Sequence, residues 1–178
     1  VMQKNYLVVS ALGEDRPGLV DAVSQLIRDT GCSIGDSRMS VLGGDFAMIF
    51  LVEGRWNELA KLESSLPGAG RRLGLDVQAR RTRPRPATAD VLPYSVEVVC
   101  VDHSGIIHQL GNFFSSRDIN IRDLTTTNYA AAHTRTPMFQ LQMTIDVSAS
   151  LHIARLREEF MDFCDQLNLD AIIEPLRH

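Results

Sequence analysis

A short turn that occurs twice is the feature that most constrains the fold of this chain. Residues 15–18 read Asp-Arg-Pro-Gly and lie between an apolar run and a helical pattern; residues 102–105 read Asp-His-Ser-Gly in the same setting. An Asp side chain can accept hydrogen bonds from the free amides of a first helical turn, and a Gly lets another molecule approach the backbone closely. Each turn is therefore either a helix cap or half of a binding site.

The two turns belong to an internal duplication. One offset of 87 positions relates four pairs: Asp15 and Asp102, Gly18 and Gly105, Ile34 and Ile121, Asp36 and Asp123. A spacing of this size indicates two domains rather than a solenoid, whose repeats are about 20 to 50 residues long. Phe46 and Phe139 are related by an offset of 93, which predicts a hairpin loop six residues longer in the second copy, within residues 129–137.

The first copy reads as strand, helix, two strands, helix and strand. We predict a strand over 6–12, a helix over 19–27 that stops at Gly31, and a hairpin of 34–42 and 46–52 around Gly43 and Gly44. A second helix follows over 56–66, marked by Trp56, Leu59, Leu62 and Leu66 and ended by Pro67 and Gly68, and a last strand covers 75–79.

The second copy repeats this order, with strands at 94–101, from 120, at 138–147 and at 171–173, and helices at 106–116 and 153–167. Two interleaved right-handed crossovers give an α+β fold, the ferredoxin-like βαββαβ arrangement, with an antiparallel sheet and both helices on one face. We therefore predict a first domain over 1–80, a linker rich in Pro and Arg over 81–91, and a second domain over 92–178. The linker prolines favour an extended spacer.

Composition excludes several classes of function. The net charge of −4 and a pI near 5.7 argue against a broad basic face for nucleic acid, which leaves the linker arginines (Arg80, Arg81, Arg83, Arg85) as the local exception. No run approaches 18 apolar residues and no signal-peptide pattern opens the sequence, so we expect a cytoplasmic protein without a membrane partner.

No arrangement of residues typical of a metal site or a catalytic centre is found. The three cysteines are far apart, which argues against disulfides and structural zinc, and Cys32 and Cys164 fall at apolar positions typical of buried thiols. The five histidines form no metal-binding pair. Asp102, His103 and Ser104 are consecutive and so cannot adopt the geometry of a hydrolase triad. We predict no metal, no cofactor and no catalytic residues.

Several motifs carry a family resemblance. The Asp-Arg-Pro-Gly-Leu-Val turn at 15–20, with Gly-Cys-Ser-Ile at 31–34 and Asp-Ser-Arg at 36–38, resembles an ACT domain. Two such domains joined by a Pro/Arg linker resemble the glycine cleavage system transcriptional repressors, and residues 10–18, 55–57, 62–64 and 66–67 are similar to that family's first domain in order and spacing. The second copy departs from the pattern, with His103 for Arg16, Ser104 for Pro17 and the longer hairpin loop.

The resemblance implies a non-catalytic regulator that senses a small amino acid, glycine in this family, and represses glycine cleavage genes through contact with a DNA-binding transcriptional activator protein. Two alternatives come from other classes. One is a regulatory subunit or allosteric module of an amino-acid metabolic enzyme. The other is direct nucleic-acid binding through the linker arginines.

The resemblance also implies where the amino acid binds, because ACT domains commonly hold ligands where the strand–helix turn of one domain faces the second strand of its neighbour. Gly18 would then face Asn120, and Gly105 would face Ser33. The amides at the helix starts suit a carboxylate, and the Asp side chains or strand starts suit an ammonium. The candidate residues are Asp15, Arg16, Pro17, Gly18, Leu19, Ser33, Ile34, Asp102, His103, Ser104, Gly105, Ile106, Asn120 and Ile121.

The alternative for these turns is that both are ordinary caps, with Asp15 and Asp102 bonded to their own helices. Between the two turns we favour the first as the binding site, since the second lacks its proline. Each small sheet also leaves unpaired strand edges, which predicts edge-to-edge pairing within one chain or between two chains in a homodimer.

Overall fold

A computed structural model describes residues 3–86 and 90–177, and the chain divides into two compact units, Val1–Pro86 and Ala87–His178. The first unit contains β1 (Asn5–Glu14), α1 (Leu19–Asp29), β2 (Ser33–Leu42), β3 (Asp45–Gly54), α2 (Trp56–Leu73) and β4 (Leu75–Thr82). The second contains β5 (Val91–Val101), α3 (Ile106–Ser115), β6 (Asn120–Ala130), β7 (Pro137–Ser148), α4 (Ile153–Gln166) and β8 (Asp170–Pro175). The predicted βαββαβ order is confirmed in both halves.

Each unit has one four-stranded antiparallel sheet, with strand order β2-β3-β1-β4 in the first and β6-β7-β5-β8 in the second. The predicted α+β class is therefore confirmed. β4 continues to Thr82 and β5 begins at Val91, so the first two residues and the last residue of the segment 81–91 lie in strands. Boundaries of the predicted linker stay a prediction.

The core of the first domain is mainly aliphatic. Every second residue of β1 and β3 points toward the helices and is buried, as the alternation of strand side chains requires. The helices contribute apolar residues at spacings of three and four, such as Leu19, Val23 and Ile27 on α1 and Leu59, Leu62 and Leu66 on α2. These side chains form one cluster that covers a single face of the sheet.

The core of the second domain is built around aromatic rings. Phe114 and Phe160 are fully buried with ring centroids 5.4 Å apart, and Phe113 lies 5.1 Å from Phe114 in an edge-on arrangement. Phe163 completes the cluster at 4.8 Å from Phe113. Such pairs add to the burial of apolar area, so the two domains have the same topology with different core chemistry.

Helix α2 is longer than predicted. We expected it to end at Pro67 and Gly68, and that expectation is wrong, since α2 continues through Pro67 to Leu73. Ala69 and Gly70, beyond the proline, are buried, and a Cβ built on Gly70 would lie 2.7 Å from the carbonyl oxygen of Leu75. Packing of this last part of α2 against β4 outweighs the local preference of Pro and Gly to end a helix.

The predicted difference between the hairpins is confirmed. Leu42 pairs with Asp45 in the first domain, leaving only Gly43 and Gly44 between them. The equivalent pair in the second domain is Tyr129 with Met138, which encloses the eight residues 130–137. The second hairpin is therefore six residues longer at its tip.

Candidate functional site

The first turn leads into α1 through a glycine in the left-handed region. Gly18 is the N-cap residue with φ of 92° and ψ of −5°, and a Cβ built on it would meet no atom within 4 Å. Residues 15–18 are exposed, whereas Leu19 is buried and fixes the start of the helix on the core. The turn is thus an open stretch of backbone at the start of a helix that packs on the core.

The second turn repeats this geometry closely. Gly105 is the N-cap of α3 with φ of 88° and ψ of −1°, and the space around its Cα is equally open. Ile106 is buried in the position of Leu19. In each case the amide of the fourth helix residue donates a hydrogen bond to the carbonyl of the N-cap glycine. Ala22 donates to Gly18 at 3.0 Å, and Gln109 donates to Gly105 at 2.9 Å.

The alternative that Asp15 and Asp102 cap their own helices is wrong. No side chain within the described residues accepts a hydrogen bond from the amides that open α1 or α3, because the cap position is taken by a glycine. Instead the two Asp residues bond through their backbone amides, Asp15 to the Gly44 carbonyl at 3.1 Å and Asp102 to the Pro137 carbonyl at 3.0 Å. Both carboxylates stay exposed beside a helix N-terminus.

The amides that open the helices are correspondingly available. Across residues 3–86 and 90–177, the amides of Gly18, Leu19 and Val20 have no protein acceptor, and neither do those of Gly105, Ile106 and Ile107. Free amides and the positive end of the helix dipole attract an anionic group. Each turn therefore combines donors for a carboxylate with one exposed carboxylate for a cation.

The second residue of the turn distinguishes the two copies. Arg16 donates from Nη2 to the Leu73 carbonyl at 3.1 Å, which ties the first turn to the C-terminal end of α2. His103 lies with Nδ1 3.2 Å from the carbonyl oxygen of the adjacent Ser104 and has no such long-range contact. Pro17 and Ser104, the third residues, are both exposed.

Strand starts predicted as the other half of each site lie far from the turn of their own domain. Ser33 pairs with Glu53, and Glu53 pairs with Tyr6 near the beginning of β1, whereas the turn follows the far end of β1 at Glu14. Nine residues of strand separate the two ends, about 30 Å. Asn120 and Ile121 pair with Asp146 and Ile145, at the same end of the second sheet as Ser33 in the first. No domain brings its own turn and strand start together.

Two features near these turns were missed by sequence reasoning. Gln109, in the first turn of α3, has a buried Oε1 without a hydrogen-bond partner among the residues that the structure describes. Burial, and then the nearby Asp102 carboxylate, raise the pKa of the Cys100 thiol. Both follow from packing around α3, which no local sequence signal reports.

Trp56 begins α2 as predicted, but it does not share the burial of Leu59, Leu62 and Leu66. Its side chain is 67% exposed. It borders an open groove of about 530 Å³ between the end of α1 and the start of α2, lined by Asp29, Thr30, Asn57 and Lys61 among others. Arg81 lies 5.5 Å from the Trp56 ring centre and pairs with Glu63 at 2.6 Å, so one of the linker arginines is engaged in its own domain.

All three cysteines are buried free thiols, as predicted for Cys32 and Cys164, and burial raises the pKa of Cys164 to about 12. Residues 3–86 and 90–177 contain no group of three or more His, Cys, Asp or Glu placed to hold a metal ion. Within the same ranges, no helix is both long and apolar enough to cross a membrane.

Comparison with known proteins agrees with this geometry. A family model described as the ACT domain matches residues 5–80. The glycine cleavage system transcriptional repressor of Escherichia coli strain K12 is 32% identical over 175 residues, covering 98% of this chain and 92% of that protein. A solved crystal structure is of a protein described as a candidate glycine cleavage system transcriptional repressor. It is 26% identical with a TM-score of 0.75, covering 98% of this chain and 99% of the other.

A second solved structure has the same two-domain extent. It is a protein of unknown function from Galdieria sulphuraria, 25% identical with a TM-score of 0.81, covering 98% of this chain and all of that one. The duplicated βαββαβ fold with two open glycine turns defines a regulatory protein built of tandem ACT domains. Within that class, the chain belongs to the family of the glycine cleavage system transcriptional repressors.

Proposed function

We propose that this protein is a non-catalytic sensor of a small amino acid, glycine in the first place, that restrains transcription of glycine cleavage genes. The observation that carries the proposal is the open glycine turn at the start of α1, with free amides and a vacant space at Gly18. Family membership supports the regulatory role. A regulator of gene expression acts on the transcription machinery, so the proposal includes a cytoplasmic location.

The turn has donors and an acceptor for both ends of an amino acid. The carboxylate would accept hydrogen bonds from the amides of Gly18 and Leu19, where the dipole of the eleven-residue helix α1 favours an anion. The ammonium would lie beside the exposed Asp15 carboxylate. A small side chain is favoured, because nothing in the turn itself forms an apolar pocket for a larger one.

A strand start must complete the site. Since Ser33 and Ile34 lie at the opposite end of the sheet from residues 15–18, and Asn120 and Ile121 likewise from residues 102–105, the second half of each site would come from another ACT domain or another copy of the chain. The same requirement supports self-association as part of the proposal. Asp102, His103, Ser104, Gly105 and Ile106 would form the weaker site, since only the first turn is tied to a helix end.

Repression through a protein partner is the second part of the proposal. The acidic net charge of −4 disfavours direct contact with nucleic acid, and Arg81 is held by Glu63. The partner would be the DNA-binding activator of the same genes, and the amino acid would alter the affinity of the complex by favouring one of its states.

Glycine binding tests the proposal directly. We expect calorimetry and thermal denaturation to give binding heat and stabilisation with glycine and less with larger amino acids. Gly18→Ala should abolish both, because a methyl group would fill the space of the carboxylate. Gly43→Ala is the matched control, since Gly43 also has positive φ, at 61°, with no atom within 4 Å of a built Cβ.

The control separates loss of the site from backbone strain, which a side chain at positive φ introduces in both variants. Absence of binding heat with every small amino acid would refute the sensor role. Binding that survives Gly18→Ala but is lost in Gly105→Ala would assign the site to the second turn. A pulldown of the activator with and without glycine then tests the partner.

A further inference from the structure

The two sheets differ on the face that carries no helix. In the first domain the residues of β1 and β3 that alternate with the core are mostly apolar, and we call the set Tyr6, Val8, Leu12, Ala47, Ile49 and Leu51 the open face. Ile49 is 48% and Leu12 is 52% exposed, whereas their neighbours Met48 and Ala11 on the helix side are only 3% exposed. Two adjacent central strands thus present an apolar stripe, which only Ser10 on β1 interrupts.

The second domain serves as an internal comparison, because it has the same topology and pairing. Its corresponding positions include Ser95 on β5 and Gln140, Gln142 and Thr144 on β7, and Glu97 lies at the position of Ser10. Gln142 donates to the Glu97 carboxylate at 3.4 Å across this surface. The fold therefore tolerates a polar surface at these positions, and the apolar stripe of the first domain needs a reason other than folding. Large exposed apolar patches mark interaction sites.

We propose that the open face packs against the same face of a second copy of this chain, forming a face-to-face dimer. The whole helix-free face of the first sheet has four strands about 4.8 Å apart and about eight residues long, or roughly 500 Å² with the open face at its centre, so two copies packed over it bury about 1,000 Å². That is the area at which specific interfaces begin. Two sheets pack in this way about 10 Å apart with their strands nearly aligned.

Charges at the edge of the open face agree with a twofold axis. Arg38, Ile49, Ser10 and Gln78 form one rung across the four strands. On β4, Arg80 and Asp76 lie two residues to either side of Gln78, and both are exposed with no ion pair among the described residues. A twofold axis that runs along this rung, between the two packed sheets, would place Arg80 over Asp76 of the second copy. It would equally place Asp76 over Arg80 of the second copy.

The same axis matches apolar residues with each other. Val8 would lie over Leu12 of the second copy, and Leu51 over Ala47, since each member of these pairs is two residues from the rung. Arg38 would approach its own counterpart, but it stands on the edge strand β2, where a long side chain can extend into solvent. A second copy therefore covers the apolar stripe and also pairs Arg80 with Asp76 on β4. An unrelated partner would need both an apolar surface and matching charges at these positions.

This proposal goes beyond the regulatory role, because it assigns a surface and a symmetry to the self-association that the proposed function includes. It also differs from the edge-to-edge pairing expected from the sequence, which would use the backbone of β2 rather than side chains of β1 and β3. Sedimentation velocity distinguishes the two arrangements, because substitutions on the open face should weaken a face-to-face dimer and leave an edge-to-edge dimer intact.

Ile49→Glu is the first variant, studied in the full chain from about 1 to about 200 µM, a range that detects dimers with micromolar dissociation constants. We expect the wild type to approach twice the 19.8 kDa of one chain, and Ile49→Glu to weaken the dimer by at least about 30-fold, as for a central interface residue. Ile172→Glu is the matched control, because Ile172 is 52% exposed on the helix-free face of the second domain. It should leave the dimer unchanged.

A charge exchange covers the case in which Ile49→Glu fails to fold. Arg80→Asp alone should weaken the dimer, and Arg80→Asp combined with Asp76→Arg should restore it, because the pair is exchanged symmetrically. A wild-type chain that stays monomeric over the whole range overturns the proposal. So does a dimer that Ile49→Glu leaves intact in a folded protein, or a charge exchange that does not restore association.

Discussion

Arg16 is the residue that joins the candidate site to the rest of its domain. Its guanidinium reaches across 57 positions of sequence to the carbonyl of Leu73, in the last turn of α2. Carbonyls in a last helical turn lack partners within the helix, and a cation near them also interacts favourably with the dipole. The first turn is thus bonded to the end of α2, whereas His103 gives the second turn no comparable connection.

Arg16→Ala should lower the free energy of unfolding of the first domain by about 0.5 to 1 kcal/mol, because it removes one exposed, charge-assisted hydrogen bond at a helix end. Urea denaturation followed by Trp56 fluorescence measures this, since the single tryptophan belongs to the first domain. His103→Ala is the comparison and should leave the same transition unchanged. Equal effects of the two substitutions would contradict a structural role for Arg16.

At this scale the sequence predicts the positions but not the contacts. Asp, Gly and the apolar residue after Gly are local signals, and they correctly located the start of α1 and α3. The capping alternative failed because Gly18 occupies the N-cap position itself. Asp15 lies three residues before that position, and its side chain does not bond the helix amides. The bond from Arg16 to Leu73 depends on the tertiary approach of two segments, which no local pattern contains.

Helix α2 shows how packing decides the length of an element. Its buried end approaches β4 so closely that Gly70 has no room for a side chain, with the carbonyl oxygen of Leu75 and one methyl group of Val77 against it. Gly13 at the end of β1 is in the same position, since a Cβ there would collide with the carbonyl oxygen of Gly74. Glycine is required at both places for close approach of two backbones rather than for a turn.

Gly70→Ala should destabilise the first domain by about 1 to 3 kcal/mol, because the added methyl group forces a buried backbone apart. Gly111→Ala is a matched helical substitution, since a Cβ on Gly111 would meet no atom within 4 Å. It should stabilise the second domain by about 0.5 to 1 kcal/mol through helix propensity. Thermal denaturation by circular dichroism measures both; a stabilising Gly70→Ala would show that α2 can move away from β4.

Elements were predictable where the pattern was local and strong. The strand and helix order and the longer second hairpin follow from apolar spacing and from the change of offset at Phe46 and Phe139, and both are confirmed. The end of α2 was not predictable, because Pro67 and Gly68 are correct stop signals that burial of Ala69 and Gly70 overrides. Propensity is a weak signal beside a buried contact.

The whole molecule consists of two folding units with separate cores. The first is mainly aliphatic and the second includes a cluster of phenylalanine rings, and each core cluster draws its residues from one unit. The duplication was evident from sequence because turns and core positions recur at a constant offset. The polar character of one helix-free face and the apolar character of the other follow from alternation, but only the observed pairing showed which residues share a rung.

Phe160→Ala should destabilise the second domain by about 3 to 5 kcal/mol, because Phe160 is fully buried among Phe113 and Phe114. The transition seen by circular dichroism should then begin earlier, while the one seen by Trp56 fluorescence stays in place. Leu62→Ala in the first core should shift the fluorescence transition instead, by about 2 to 5 kcal/mol. Identical shifts by both probes would mean that the two units unfold as one.

The eight-residue tip of the second hairpin has a practical consequence for experiments on this protein. Residues 130–137 extend beyond the last pair shared with the first domain, so added bulk there leaves the register of the sheet unchanged. All three native thiols are buried, and Ala132 at the tip is exposed. A cysteine placed at Ala132 would therefore accept a fluorescent dye selectively, beside the second turn, and could report occupation of that turn optically without a label anywhere in the first domain.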